Sequence, residues 1–229
     1  TARVPYGNKS KIRIQEFSNA ITQWLVDQNS KMIVVACNTV SSLALDYIKS
    51  KFDLPIIGVI EPGIHSAISI TKNKRVGVLG TNATIKSDAY GEGLRAANDQ
   101  ISVVSQACPL FVPLAEEGWV SGDVPTAIAT TYLEPIKRSN VDTLILGCTH
   151  YPLLKSILRQ VLGSDVSLVD SGEATAAAVN SVLSKNNIVS NENTGEIHCY
   201  VTDSRDSFEA LAGRFVHTNI SAITHVDIS

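Results

Sequence analysis

At 229 residues, 44% hydrophobic and 18% charged, the chain is long enough to bury a sizeable core, as one large or two smaller units. A net charge of −3 and a pI near 5.9 leave no basic stripe for nucleic acid, and no apolar run nears the roughly 18 residues that span a bilayer. The start, residues 1–11, lacks the apolar stretch of a secretion signal, and the four cysteines form no Cys-x-x-Cys pair, which suits reduced thiols in the cytoplasm.

Residues 11–28 read as a helix, with Ile14, Phe17, Ile21, Trp24 and Leu25 on one stripe. A buried strand is predicted at 32–36, ending directly at Cys37, then a helix over 40–51. A strand at 55–60 runs into Glu61-Pro62-Gly63. Next come a strand at 75–80, a helix near 84–97 and a strand at 101–106. Glu116 and Glu117 read as solvated loop carboxylates before Gly118-Trp119. A helix over 125–138 leads to a strand at 143–147, which ends at Cys148. A helix over 152–162, a strand at 166–170 and a helix over 173–185 follow. A polar loop at 186–195, a strand at 196–201, a short helix near 206–213 and a strand at 221–228 close the chain. Strands alternating with helices across short connections predict an α/β fold with mostly parallel sheets covered on both faces.

The order repeats. Helix, strand, cysteine, helix, strand, acidic residue describes the stretch to Glu61 and again the stretch to Asp170. Cys37 stands 24 residues before Glu61, and Cys148 stands 22 before Asp170. Val4-Pro5-Tyr6 and Val112-Pro113-Leu114 occupy matching places upstream. The repeat predicts two pseudo-symmetric lobes with the active site between them: residues 1–60 plus 172–229, and residues 61–171. The second half carries a further strand–helix–strand unit before Val112, so a matching unit of about 35 residues is expected to precede Thr1. The C-terminal tail is expected to return and complete the first lobe.

Both cysteines sit where a buried strand hands over to a helix, the slot in which parallel sheets place ligands. Unpaired backbone N–H groups and the helix dipole there favour negative charge. A thiol can thus be lowered from about 8.5 into roughly the 3.5–7.5 range. Asn38, Thr39 and Thr149 could help the same groups hold a carboxylate. One buried cysteine at a strand end is usually a core residue, the reading kept for Cys108 and Cys199. Two in equivalent slots suggest two matched acid/base groups, as racemisation requires: one removes a proton from a carbon and the other returns one to the opposite face. His150, two residues past Cys148, could orient that thiol. A metal site is not indicated, because Cys37 brings no matching ligand pair and His65, His198, His217 and His225 form no ligand spacing. Gly77-Val78-Leu79-Gly80-Thr81 lacks the third glycine and the lysine of nucleotide loops, so no cofactor site is read there.

Residues 3–9 (RVPYGNK), Ala36-Cys37-Asn38-Thr39, residues 58–63 (GVIEPG) and residues 147–152 (GCTHYP) together resemble the glutamate racemases, within the aspartate/glutamate racemase superfamily. Either cysteine block alone would fit aspartate, hydantoin or related racemases. The resemblance implies that Cys37 serves D-glutamate and Cys148 L-glutamate, and that Tyr6, Gly7, Asn38, Thr39, Thr149 and His150 contact substrate. It gives Glu116 a supporting role beside His150. It also implies a cytoplasmic enzyme without pyridoxal phosphate or metal that supplies D-glutamate for peptidoglycan. Such an enzyme is commonly a homodimer, and a cell-wall precursor nucleotide activates some of them. The family's Asp-Ser-Gly-x-Gly-Gly block, whose aspartate supports the first cysteine, would fall in the unit expected before Thr1. The alternatives are a racemase for aspartate or another amino acid, and a non-catalytic binding or gyrase-inhibiting role.

Overall fold

Ser10 opens the first helix by accepting the Arg13 N–H through its hydroxyl, and α1 runs Lys11–Asp27. Of the predicted stripe Ile14 is buried and Leu25 packs against the same core, and Ser18 and Thr22 join Ile14 inside. Ser18 turns its hydroxyl back onto the Ile14 carbonyl at 2.6 Å, which lets a polar residue sit inside. Phe17 and Trp24 are instead half-buried and used laterally, Phe17 against Tyr6 at 6.3 Å and Trp24 edge-on against Tyr200 at 4.8 Å. This computed structural model describes residues 1–191, 195–215 and 220–228; His217 and residues 192–194 of the predicted polar loop lie outside them.

β1 (Ile33–Val35) ends two residues before Cys37. The helix predicted over 40–51 is two, α2 (Asn38–Leu43) and α3 (Leu45–Lys49), broken where Ala44 leaves helical dihedrals. β2 (Ile56–Gly58) pairs parallel with β1. The predicted strand at 55–60 stops early, because α4 (Ile60–Ile70) begins there and takes Glu61-Pro62-Gly63 into its first turn. Proline is accepted in that turn, whose N–H groups have no helical partner in any case. Ile60, Ile64 and Ala67 of α4 face inward.

The second half is a four-stranded parallel sheet in the order β4-β3-β5-β6. β3 is Arg75–Gly80. α5 (Asn82–Ser87) and α6 (Ala89–Ala97) replace one predicted helix, the break falling at Asp88, whose φ is +52°. β4 is Ser102–Ala107, and α7 (Phe111–Glu116) takes up the segment predicted as loop, so Glu116 ends a helix. α8 (Asp123–Arg138) precedes β5 (Thr143–Gly147); a 3₁₀ turn at Tyr151–Leu154 and α9 (Lys155–Leu162) lead to β6 (Ser167–Asp170). β5 is buried at every position. Leu144 and Leu146 join one core with Leu133 and Ile136 of α8, while Ile145 joins Val76, Val78, Ile64 and Leu94 on the other face. Continuous burial is what a central parallel strand with helices on both faces produces.

α10 (Ser171–Lys185) packs on α4, β5 and β6. Beyond it, β7 (His198–Val201) and β8 (Ala222–His225) pair parallel with each other, flanking α11 (Arg205–Phe215). Within the described residues this pair forms no ladder with β1 or β2. The tail meets the first half through the Trp24–Tyr200 contact and through Thr202, whose hydroxyl accepts from the Thr1 amine at 2.9 Å.

Candidate active site

The two cysteines have matched local settings. Cys37 immediately precedes the first turn of α2, and Cys148 immediately follows β5, three residues ahead of the 3₁₀ turn at Tyr151. The backbone N–H groups of Thr39 and Val40 favour the Cys37 thiolate, and those of His150 and Tyr151 favour the Cys148 thiolate. In both cases the donors lie two and three residues downstream. Each carbonyl also closes the turn, Cys37 accepting from Ser41 N–H at 2.8 Å and Cys148 from Tyr151 N–H at 3.1 Å. Both cysteines thus stand where a strand gives way to a helical turn, although the turn closes four residues on at Cys37 and three at Cys148.

Both cysteines line one cavity of about 200 Å³, with Tyr6, Gly7, Asn38, Thr39, Thr149, His150 and Glu116. Every residue singled out from the sequence for catalysis or substrate contact therefore borders the same space. That space is smaller than the roughly 300–1,000 Å³ of pockets for drug-sized ligands and suits a small metabolite. On the Cys148 side, Nδ1 of His150 is 3.9 Å from the sulfur and 3.4 Å from the Thr149 hydroxyl, and its Nε2 is 3.2 Å from a Glu116 carboxylate oxygen. Glu116 is no bystander: it and Cys148 stand at the two ends of the imidazole.

On the Cys37 side, Asn38 is only 2% exposed. Its Oδ1 accepts from the Tyr90 hydroxyl at 2.6 Å, while its Nδ2 has no acceptor among the described residues. Burying an amide donor unpaired costs about 1–3 kcal/mol, which favours a ligand that brings an acceptor. Thr39 joins a hydroxyl chain, 2.9 Å from the Thr81 hydroxyl and 3.4 Å from that of Thr84. Thr81, Val4, Pro5 and Val112 also line the cavity and were not singled out as site residues. Thr81 could have been found, since it follows β3, the strand beside β5, at the same ligand-facing end of the sheet. Val4 and Val112 are the paired positions of the repeat. Their backbones differ, however, Val112 being helical and Val4 preceding a cis peptide bond to Pro5.

The thiols differ from the sequence expectation in one respect. Burial raises Cys37 above the ordinary thiol range despite the Val40 and Thr39 N–H groups and the Thr39 hydroxyl. Burial likewise pushes Cys148 up to about 12, assisted by the charges of Cys37 and Glu116 and opposed by the His150 and Tyr151 N–H groups. The capping amides are present, as expected, but they are outweighed by the loss of water around the sulfur. In the ligand-free protein, the Cys148 share of the thiolate absorbance near 240 nm is therefore expected to appear only above the ordinary thiol range. The Cys148 share is read as the difference between the parent protein and Cys148→Ser. A Cys148 midpoint below pH 8 would contradict the dominance of burial.

The Asp/Glu/Hydantoin racemase family model matches residues 2–179. The glutamate racemase of Geobacter metallireducens is 42% identical over all of this chain and 85% of its own length. The crystal structure of the Francisella tularensis glutamate racemase, in complex with D-glutamate, superposes with a TM-score of 0.93 at 36% identity, over 100% of this chain and 85% of that one. The Escherichia coli glutamate racemase, solved with L-glutamate and the activator UDP-MurNAc-ala, matches at a TM-score of 0.81 and 28% identity, over 100% of this chain and 86% of that one. With a family match across most of its length and close relatives across all of it, the chain belongs to the Asp/Glu/Hydantoin racemase family, and within it to the glutamate racemases.

Proposed function

We propose that the chain interconverts L- and D-glutamate by proton transfer between Cα of the substrate and two thiols, Cys37 and Cys148, on opposite sides of that carbon. The observation that carries the reading is that both cysteines line one small cavity, each with the N–H groups two and three residues ahead favouring its thiolate. One cysteine, as thiolate, removes the Cα proton, and the other, as thiol, delivers its own proton to the opposite face. The two then hold reversed protonation states and are ready for the mirror-image substrate. Cys37 takes the proton from D-glutamate and Cys148 from L-glutamate.

The raised thiols fit this scheme if the substrate itself promotes ionisation. Its α-ammonium group is a positive charge brought close to both sulfurs, and a nearby opposite charge favours the thiolate. Asn38, Thr39 and Thr149 supply the polar contacts for the carboxylates, the free Nδ2 of Asn38 gaining an acceptor, and Tyr6 and Gly7 close the cavity from the N-terminal side. His150, held by Glu116, moves or orients the proton at Cys148. From the family resemblance the proposal extends to D-glutamate supply for peptidoglycan, a homodimeric assembly and activation by a cell-wall precursor nucleotide, the last in line with the activator bound to the Escherichia coli relative.

The test is proton exchange in heavy water. Incubation with either enantiomer is expected to give the other with deuterium at Cα, and a parallel series with aspartate, alanine and serine is expected to be inert. Glutamate binding with no wash-in would leave a binding protein, and faster turnover of aspartate would move the substrate assignment.

A further inference from the structure

We infer that Arg214 and Phe215, at the end of α11, are positioning residues for the Glu116–His150 pair, so that the C-terminal tail forms part of the Cys148 side of the site. This rests on the two-thiol reading above. Three contacts, two of the Arg214 guanidinium and one of Phe215, support it. The Arg214 guanidinium donates through Nη1 to the Glu116 carbonyl oxygen and, at 3.4 Å, to that of Ala115, the last carbonyls of α7. Helix C-termini leave such carbonyls without helical partners, and arginine is well suited to take them.

The second contact is with Gly118, which has φ +76°. A Cβ there would lie 3.0–3.3 Å from the guanidinium, so the chain turns out of α7 flat against Arg214. The third is Phe215, whose ring meets the His150 ring edge-on at 5.7 Å and 89°. One residue of α11 thus fixes the backbone that carries Glu116, and the next leans on the imidazole that Glu116 holds. Nothing in α11 need touch substrate for this to matter. A carboxylate 3.2 Å from Nε2 sets the imidazole's orientation toward Cys148 only while its own backbone stays in place.

The experiment is a double-mutant cycle in the protein expressed at its full natural length. Arg214→Ala is expected to lower kcat about tenfold with KM changed less than about twofold, the scale of one lost hydrogen bond to a working group. Arg214→Lys is expected to recover part of the loss. In a Glu116→Gln background, Arg214→Ala should cost little more, because the carboxylate it positions is already gone. Full additivity of the two changes would overturn the inference, as would a kcat for Arg214→Ala equal to the parent's. So would a drop in melting temperature that accounts for all lost activity. The parallel Cys148→Ser protein separates the levels. If it still racemises, the two-thiol reading fails. If it is inactive while Arg214→Ala behaves as the parent, only the role of α11 fails.

Discussion

Replacing either Cys37 or Cys148 by serine is expected to cut glutamate interconversion by about 10³-fold or more in both directions, while the fold survives. A serine hydroxyl is close in size to the thiol and can likewise accept from the N–H groups two and three residues ahead, so the substitution should not disturb the packing. What serine cannot do at accessible pH is lose its proton. Since positioned acid/base groups contribute on the order of 10²–10⁴-fold each, losing one should stop turnover. Both directions fall together because each sulfur is the base in one direction and the acid in the other. The single variants should nonetheless differ. With Cys148→Ser, Cys37 can still remove and return the proton of D-glutamate on its own face, so deuterium should wash into D-glutamate without inversion; Cys37→Ser should show the same for L-glutamate. Racemisation within tenfold of the parent in either variant would remove the two-thiol mechanism.

Much of this site was legible because its slots have sequence signatures. A short apolar run stopping at a cysteine and followed by small polar residues marks a strand end under a helix start, and its recurrence at Cys37 and Cys148 carried more weight than either instance. The strands β3 and β5 were found to the residue, since parallel strands covered on both faces read as near-continuous apolar runs, β3 from Val76 onward. α4 was missed for a local reason. Glu61-Pro62-Gly63 resembles loop punctuation, yet a helix's first turn tolerates proline, and Ile60, Ile64 and Ala67 are buried on its inner face. The thiol acidity was misjudged because hydrogen-bond donors can be inferred from neighbouring residues, whereas burial depends on what the rest of the chain packs around them. The contribution of α11 was out of reach for the same reason: Arg214 meets Glu116 across 98 residues of sequence. No periodicity or motif in either segment announces that contact.

Gly147→Ala is expected to lower both stability and turnover, though it adds one methyl group and touches no proposed acid or base. Gly147 ends β5, paired with Gly80 of β3. A Cβ at this position would stand 2.5 Å from the Leu79 carbonyl oxygen and 3.1 Å from the Tyr90 ring. The first neighbour is backbone in the adjoining central strand, so it cannot swing away as a side chain would; β3 and β5 must separate locally. Overpacking of this kind costs about 1–3 kcal/mol, or roughly 2–4 °C of melting temperature per kcal/mol in a chain of this size. The functional effect follows from position. Cys148 is the next residue, and Tyr90 is the side chain whose hydroxyl holds Asn38 at 2.6 Å. The added methyl therefore acts on the second thiol through the backbone of β5 and on the first half of the site through Tyr90. A shift near 1 Å in reacting groups can cost about 10²-fold in rate, and kcat should fall on that scale even well below the melting transition. Gly213→Ala is the matched control: nothing among the described residues lies within 4 Å of a Cβ there, the residue is inside α11, and alanine should leave kcat unchanged and hold or slightly raise the melting temperature. If Gly147→Ala proved as active and as stable as Gly213→Ala, the close approach of β3 and β5 at the Cys148 end of the sheet would have to be abandoned, and with it the strand geometry that holds this thiol at the cavity.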